Sequence, residues 1–400
     1  MLQHHAIRSQ WQLDPAIDFL NHGSFGACPT VVLQAQRTWQ DALEREPLRF
    51  LAPERELEPK LDLVRETIAN LVRAPMNDIA FVRNATDGVN AVLRSFPFKP
   101  HDVVLITNHG YNACNNAAAY ATGRTDADIQ VARIPFPIAS EDEVLHAIEA
   151  SLTPKTRLLL IDHVTSYSGL VLPLAQIVEI AHRNGTRVLV DGAHAPGMLD
   201  IDLTTLKPDY YTTNHHKWWC GPKVSGFLYV SPEWQHEVRP TVISHAANRQ
   251  RPNRSKFIAE FDWSGTFDPS PLLAMTTAIE FLERLRPTGY AGHLAANRSL
   301  ALQARALLCD RLGIEPPAPE SMLGSLVTLP LHVGTKAFAA GDRLQPYLYK
   351  NHRIEVPCFP GPENQNRYVR VSCQAYNDLT QYERLATALK QCESDLDAFA

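Results

Sequence analysis

A lysine amine kept neutral adds to a carbonyl carbon and forms a Schiff base, chemistry that a solvated, charged lysine does not offer. Lys217 is set apart from the other lysines by its neighbours. It stands in Asn214-His215-His216-Lys217-Trp218-Trp219, directly after the apolar run DYYTT (209–213). The tryptophans restrict its hydration, which lowers its pKa and favours the free amine. Taken alone it would be read as one more surface lysine, since most lysines are exposed. A carboxylate alters that reading. Asp191 follows the β-branched run RVLV (187–190) and opens DGAHAPG (191–197), with His194 three residues on. A carboxylate buried at a strand tip needs a cation, and the next strand tip presents Lys217.

An aspartate at one strand tip and a lysine at a later one are what pyridoxal phosphate requires. The lysine holds the aldehyde, and the carboxylate keeps the pyridine nitrogen protonated so that the ring takes up electrons. A phosphate site should then lie earlier in the chain. After IAFVR, Asn84-Ala85-Thr86 opens the helical pattern NATDGVNAVL, whose unpaired amides and dipole suit a phosphate. Thr86 on its own would be an ordinary helix-cap residue. After DVVLIT comes NHGYNAC (108–114), where His109 and Tyr111 offer flat rings to stack on a cofactor.

The elements that must position these groups are legible as a pattern. Between about residues 60 and 230, helical stretches alternate with short β-branched runs, the signature of a mostly parallel sheet covered by helices on both faces. Ligands in such sheets collect at the carboxyl ends of the strands, where all of the residues above fall. After SGTFDPSP (264–271) the pattern predicts helices over 271–287 and 291–312, strands at SLVTLP, HRIEV and RYVRVS, and a last helix over 378–396. This reads as a smaller α/β domain. The expected division is an N-terminal arm (1–20), a large domain (21–285) and a small C-terminal domain (286–400), closely joined because no linker or repeat separates them.

Composition narrows the partners. The 400 residues are 45% hydrophobic and 20% charged, and 38 Lys and Arg against 43 Asp and Glu give a net charge of −5 with no long block of either sign. Nucleic acid and polybasic membrane binding are not expected. No apolar run approaches the roughly 18 residues of a membrane span, and the start lacks a signal-like stretch, so a cytoplasmic protein is expected. Seven cysteines without a CxxC pair predict neither a disulfide framework nor a metal site.

In chain order, NAT, NHGY, DGAHA, HHKW, SGTFDPSP and RVS resemble the class V aminotransferase group of fold type I pyridoxal-phosphate enzymes. LNHGSFGACP (20–29), SGTFDPSP and RVSCQAYN (370–377) are most similar to its isopenicillin N epimerase branch, which also contains carbon–sulfur lyases. The resemblance runs from Leu20 to Asn377. It implies a three-layer α/β fold in which Lys217 carries the cofactor, Asp191 pairs with the pyridine nitrogen and His194 bonds the ring oxygen. Ala85, Thr86, Asn214 and His216 would hold the phosphate. Thr266 would reach the phosphate of a neighbouring subunit, which implies a homodimer with shared sites. Arg370 fits the clamp on a substrate α-carboxylate, and Asn21 and His22 are read as substrate-binding positions.

His109 matches the ring-stacking histidine of cysteine desulfurases, while Tyr111 could reach the same pocket as stacker or general acid. Cys358 lies 12 residues before Arg370, where desulfurases carry a nucleophilic cysteine. Its flanking Pro357 and Pro360 and the epimerase-like surroundings favour a structural thiol. The substrate is therefore expected to be an amino acid, and the reaction epimerisation or racemisation at Cα. The alternative is a carbon–sulfur lyase or a desulfurase-like enzyme. Tyr111, His22 and His215 are the candidates for a second acid. An idle scaffold is disfavoured because Lys217 and Asp191 are both present, and a Rossmann dehydrogenase because no GxGxxG follows an early strand.

Overall fold

The run Leu158-Leu159-Leu160-Ile161 is apolar at every position, so both faces of its strand must be covered. Alternation sends the residues to two different cores. Leu159 and Ile161 join Val188, Val190, Tyr211 and Phe227 on one side, and Leu158 and Leu160 join Leu189, Tyr210, Leu228 and Val230 on the other. Each fully buried aliphatic side chain of this kind contributes about 1.5–3 kcal/mol.

The computed structural model describes residues 6–331, 343–360 and 367–394. Its strands are β1 (Asp18–Phe19), β2 (Ile79–Val82), β3 (Val103–Thr107), β4 (Asp128–Ala132), β5 (Thr156–Asp162), β6 (Arg187–Asp191), β7 (Tyr210–Thr212), β8 (Gly226–Val230), β9 (Leu326–Leu331), β10 (Ile354–Glu355), β11 (Cys358–Pro360) and β12 (Arg367–Ser372). The central sheet has the order β2-β8-β7-β6-β5-β3-β4. Only β8 runs antiparallel to its neighbours, so the sheet is mostly parallel and sandwiched between helices, as the pattern predicts. The carboxyl ends of β2, β3, β5, β6 and β7 therefore open on one edge. The helices Ala85–Ser95 and Asn112–Gly123 start there, after β2 and β3.

The C-terminal part forms its own core from Val327, Leu329, Val369, Val371, Leu308, Leu385 and Leu389. Its sheet, β11-β12-β9, is antiparallel, and it places Arg370 of β12 opposite Thr328. The N-terminal segment is shared between the two cores. Trp11 packs in the large core, whereas β1 pairs in parallel with β10 and Leu20 is buried with the C-terminal residues. The helices Met275–Arg284, Gly289–Leu312 and Leu379–Ser394 lie close to the expected spans, and Leu344–His352 is a further helix that the pattern does not predict.

Candidate active site

Asp191 is the last residue of β6 and lies level with Thr212 of β7 and Asp162 of β5. Its carboxylate is buried and accepts the Ala193 N–H at Oδ1 (2.9 Å) and the Cys114 thiol at Oδ2 (3.1 Å). Burial and the adjacent Asp191 push the Cys114 thiol far up, so it remains a donor. Asp162 is likewise buried, and burial followed by the charge of Asp191 holds its carboxyl well above the ordinary range. Neither group is among the residues that the sequence singles out. Asp162 carried a usable signal, since it is the polar residue that ends an apolar run.

β7 runs into a tight loop in which the Cys220 N–H bonds the Lys217 carbonyl (2.8 Å) and the Gly221 N–H bonds the His215 carbonyl (2.9 Å). The Lys217 amine lies 2.9 Å from His194 Nε2, while the Trp218 indole N–H donates to His194 Nδ1 (3.3 Å). That second bond fixes the imidazole tautomer. Burial, then Lys217 and Arg370, holds His194 well below its usual pKa, so the ring is neutral and its proton sits on Nε2. Nε2–H then donates to Nζ, which accepts only as a free amine. Burial lowers the Lys217 pKa to about 8, opposed by Asp191 and aided by Arg370. In cofactor-free protein, aldehyde capture by Lys217 fixed with borohydride should therefore rise through pH about 8, not near the ordinary 10.5. A midpoint near the ordinary value would show that the amine is solvated.

The helix Ala85–Ser95 is capped by Asn84, whose Oδ1 accepts the Asp87 N–H (2.9 Å). A Cβ at Gly88 would lie 2.0 Å from Thr212 Oγ1, so glycine is what lets this helix press against β7. Asn214 Oδ1 takes the Ala85 N–H (2.9 Å). This corrects the expectation for Ala85: its amide joins helix to loop and is not open to a phosphate. Thr86, half-buried beside it, keeps its N–H and hydroxyl without a protein partner among the described residues, and the buried His216 Nδ1 also has none. Burial lowers the His216 pKa to about 4. These open polar groups at a helix N-terminus, with a half-buried neutral amine and a buried carboxylate, fit pyridoxal phosphate.

Arg370 is buried and donates through Nη1 to the Ser166 carbonyl and hydroxyl and through Nη2 to Ser24 Oγ (2.9 Å). Burial lowers its pKa to about 10, while nearby Tyr111 opposes the shift. The structure separates the two aromatic candidates. His109 is buried with Nδ1 on Ser168 Oγ (2.7 Å) and Nε2 on the Ile134 carbonyl (3.1 Å), whereas Tyr111 is 47% exposed at the start of its helix.

Two further expectations, for His22 and His215, need correction. His22 is not open to a substrate: it is fully buried, with Nδ1 on Tyr376 and Nε2 on the Lys217 carbonyl. Asn21, two residues beyond β1, donates to Glu355 Oε1 (3.1 Å), while its buried Oδ1 keeps no partner among the described residues and is left open to a ligand. His215 packs between Trp219 and Phe227, fully buried, and burial lowers its pKa to about 3, which removes it as an acid. Motif position could not reveal which way these rings face. Thr266 is exposed on the 264–268 loop. Cys358 is buried in β11, paired opposite Val369.

The fold and site define an aminotransferase class V protein: that family matches residues 28–337, and the chain belongs to it. It is 34% identical to the isopenicillin N epimerase of Amycolatopsis lactamdurans, over 96% of this chain and 97% of that one. It is 30% identical to the probable chloroplastic L-cysteine desulfhydrase of Arabidopsis thaliana, over 94% of this chain and 83% of that one. Among solved structures, C-DES with glycine covalently linked to its PLP cofactor matches with a TM-score of 0.79 at 22% identity, covering 96% of this chain and 98% of that one. The Escherichia coli cysteine desulfurase CsdA matches with a TM-score of 0.77 at 20% identity, covering 98% of each chain. The chain is therefore a pyridoxal-phosphate enzyme of fold type I.

Proposed function

We propose that this enzyme removes the Cα proton of an amino acid whose carboxylate Arg370 holds, and returns a proton to give the epimer. The observation that carries this reading is the neutral Lys217 amine against His194, within electrostatic reach of both Asp191 and Arg370. Pyridoxal phosphate, when bound, supplies a ring that accepts the electron pair left at Cα. Thr86 and His216 would hold its phosphate, Asp191 its ring nitrogen and His194 its ring oxygen. Lys217, once released, is the base, and its depressed pKa suits proton transfer near neutral pH. With His22 and His215 enclosed, Tyr111 is the group left to protonate the opposite face.

A second reading has its own support. Carbon–sulfur elimination needs Lys217 and one acid near the leaving sulfur, which Tyr111 also supplies, and the desulfhydrase relative performs such a reaction by its name. Incubation with amino acids and cysteine conjugates in deuterium oxide separates the two. Exchange with inversion and no pyruvate supports epimerisation; pyruvate with sulfide supports elimination. Cys358→Ala should retain most turnover on the true substrate, because the thiol is buried in a strand, and loss of turnover with persulfide on Cys358 would favour sulfur transfer.

We further propose a homodimer in which Thr266 completes the partner's phosphate site. The exposed loop borders a groove of about 550 Å³ lined by Arg83, Val224, Val242 and Phe267, with Val224 and Val242 exposed. Mixing inactive Lys217→Ala with an inactive Thr266→Ala protein should restore activity, since one hybrid site has both residues intact. No recovery after confirmed subunit exchange contradicts the shared site.

A further inference from the structure

The Lys217 carbonyl receives a bond that the tight loop does not itself supply. His22 Nε2 lies 2.9 Å from it, and the bond crosses from residue 22 to a loop almost two hundred residues away. The ring state follows from its partners. Burial lowers the His22 pKa to about 3, so the imidazole is neutral. The Lys217 carbonyl can only accept, and at 2.9 Å it is nearer to Nε2 than the Gln374 amide nitrogen (3.3 Å), so Nε2 carries the proton and Nδ1 the lone pair, toward which the Ala27 N–H points (3.4 Å). Tyr376 then donates its hydroxyl to Nδ1 (2.7 Å). The result is a directed chain: Tyr376 O–H to His22 Nδ1, and His22 Nε2–H to the Lys217 carbonyl.

Nothing in this chain is exposed. His22 and Tyr376 are both fully buried, and behind them Gln374 bonds Asn297 (2.9 Å) and contacts Cys220 in the lysine loop (3.6 Å). The same N-terminal segment touches the loop again. A Cβ at Gly26 would lie 2.1 Å from the His216 carbonyl, so the segment runs flush against the lysine loop. Lys223 Nζ donates to the Gly26 carbonyl (2.9 Å) and fixes that approach. Ser24, between His22 and Gly26, accepts from Arg370.

We propose that His22, oriented by Tyr376, is a positioning residue that fixes the Lys217 peptide and so holds the amine against His194. It touches neither substrate nor cofactor. A buried histidine that only filled space would not need both ring nitrogens aligned, since a neutral ring can be replaced by an apolar group once its partners are gone. Here the aligned partners lie in the lysine loop and in the C-terminal domain, so the bond joins the elements that carry Lys217 and Arg370. Losing it leaves the carbonyl held by the Cys220 N–H alone (2.8 Å), which loosens the peptide, lets the amine drift from His194 and admits water, moving the lysine toward its ordinary pKa.

The inference rests on Lys217 being the cofactor-bearing lysine, and the test keeps the two claims apart. The wild-type holoenzyme is first reduced with borohydride and mapped; label elsewhere than Lys217 overturns the underlying assignment and the inference with it. The pH midpoint of aldehyde capture by the free Lys217 amine, fixed with borohydride in cofactor-free protein, is then measured in wild type, His22→Leu, His22→Gln and Tyr376→Phe, each shown to be folded by circular dichroism. Glutamine keeps an N–H donor near the Nε2 position; leucine does not. The expected result is a midpoint displaced upward by about one pH unit in His22→Leu, with kcat reduced about tenfold and KM little changed. His22→Gln should restore both, and Tyr376→Phe should shift the midpoint in the same direction by less. A wild-type midpoint in His22→Leu overturns the proposal, as does a glutamine variant no better than leucine. If His22→Leu does not fold, Tyr376→Phe decides, and an unshifted midpoint there overturns it.

Discussion

Asp191→Ala should bind pyridoxal phosphate and lose Cα–H exchange by at least about a thousandfold, the upper range for removing one buried electrostatic stabiliser. The loss is electrostatic. Asp191 is buried, held at Oδ1 by the Ala193 N–H and at Oδ2 by the Cys114 thiol, so its charge has a fixed direction and little competing water. The phosphate contacts proposed for Thr86 and His216 come from other elements and should survive the substitution. Retained cofactor with lost exchange is therefore the expected pair of results. Asp191→Asn should fall with alanine, because the neutral amide keeps the shape without the charge. Exchange near the wild-type rate in either variant would show that Asp191 does not face the ring nitrogen.

Arg370→Lys should reduce kcat/KM for the amino-acid substrate by at least about thirtyfold, mostly through KM, corresponding to about 2 kcal/mol for a buried charge contact. The guanidinium is anchored by Ser24 and Ser166 in a plane that a lysine cannot reproduce. Steady-state kinetics on the best substrate from the panel measures this directly. An unchanged KM would remove Arg370 from the carboxylate site.

Much of this site was readable because strand tips in parallel sheets are where ligands collect, and the chain marks its tips with chemistry. Lys217 and Asp191 stood out on those grounds, and β6 and β7 end where RVLV and DYYTT end, within a residue. The strand β8 was not read, since GFLYV follows the lysine loop and returns antiparallel between β2 and β7, a pairing that local pattern does not encode. His22 was misread for a related reason. Its motif sits far from the lysine loop in sequence, and only the tertiary fold shows that its ring faces the Lys217 carbonyl. Ala85 illustrates a finer limit: a helix N-terminus offers several amides, and which one remains open depends on a side chain, Asn214, from another element.

The central claim is that Lys217 bears the cofactor. Borohydride reduction of the purified protein, followed by peptide mapping by mass spectrometry, tests it most directly. The account predicts a pyridoxyl adduct on the peptide containing Lys217, absent from Lys217→Ala. An adduct on a different lysine, or cofactor-loaded protein that yields no adduct at all, would contradict it.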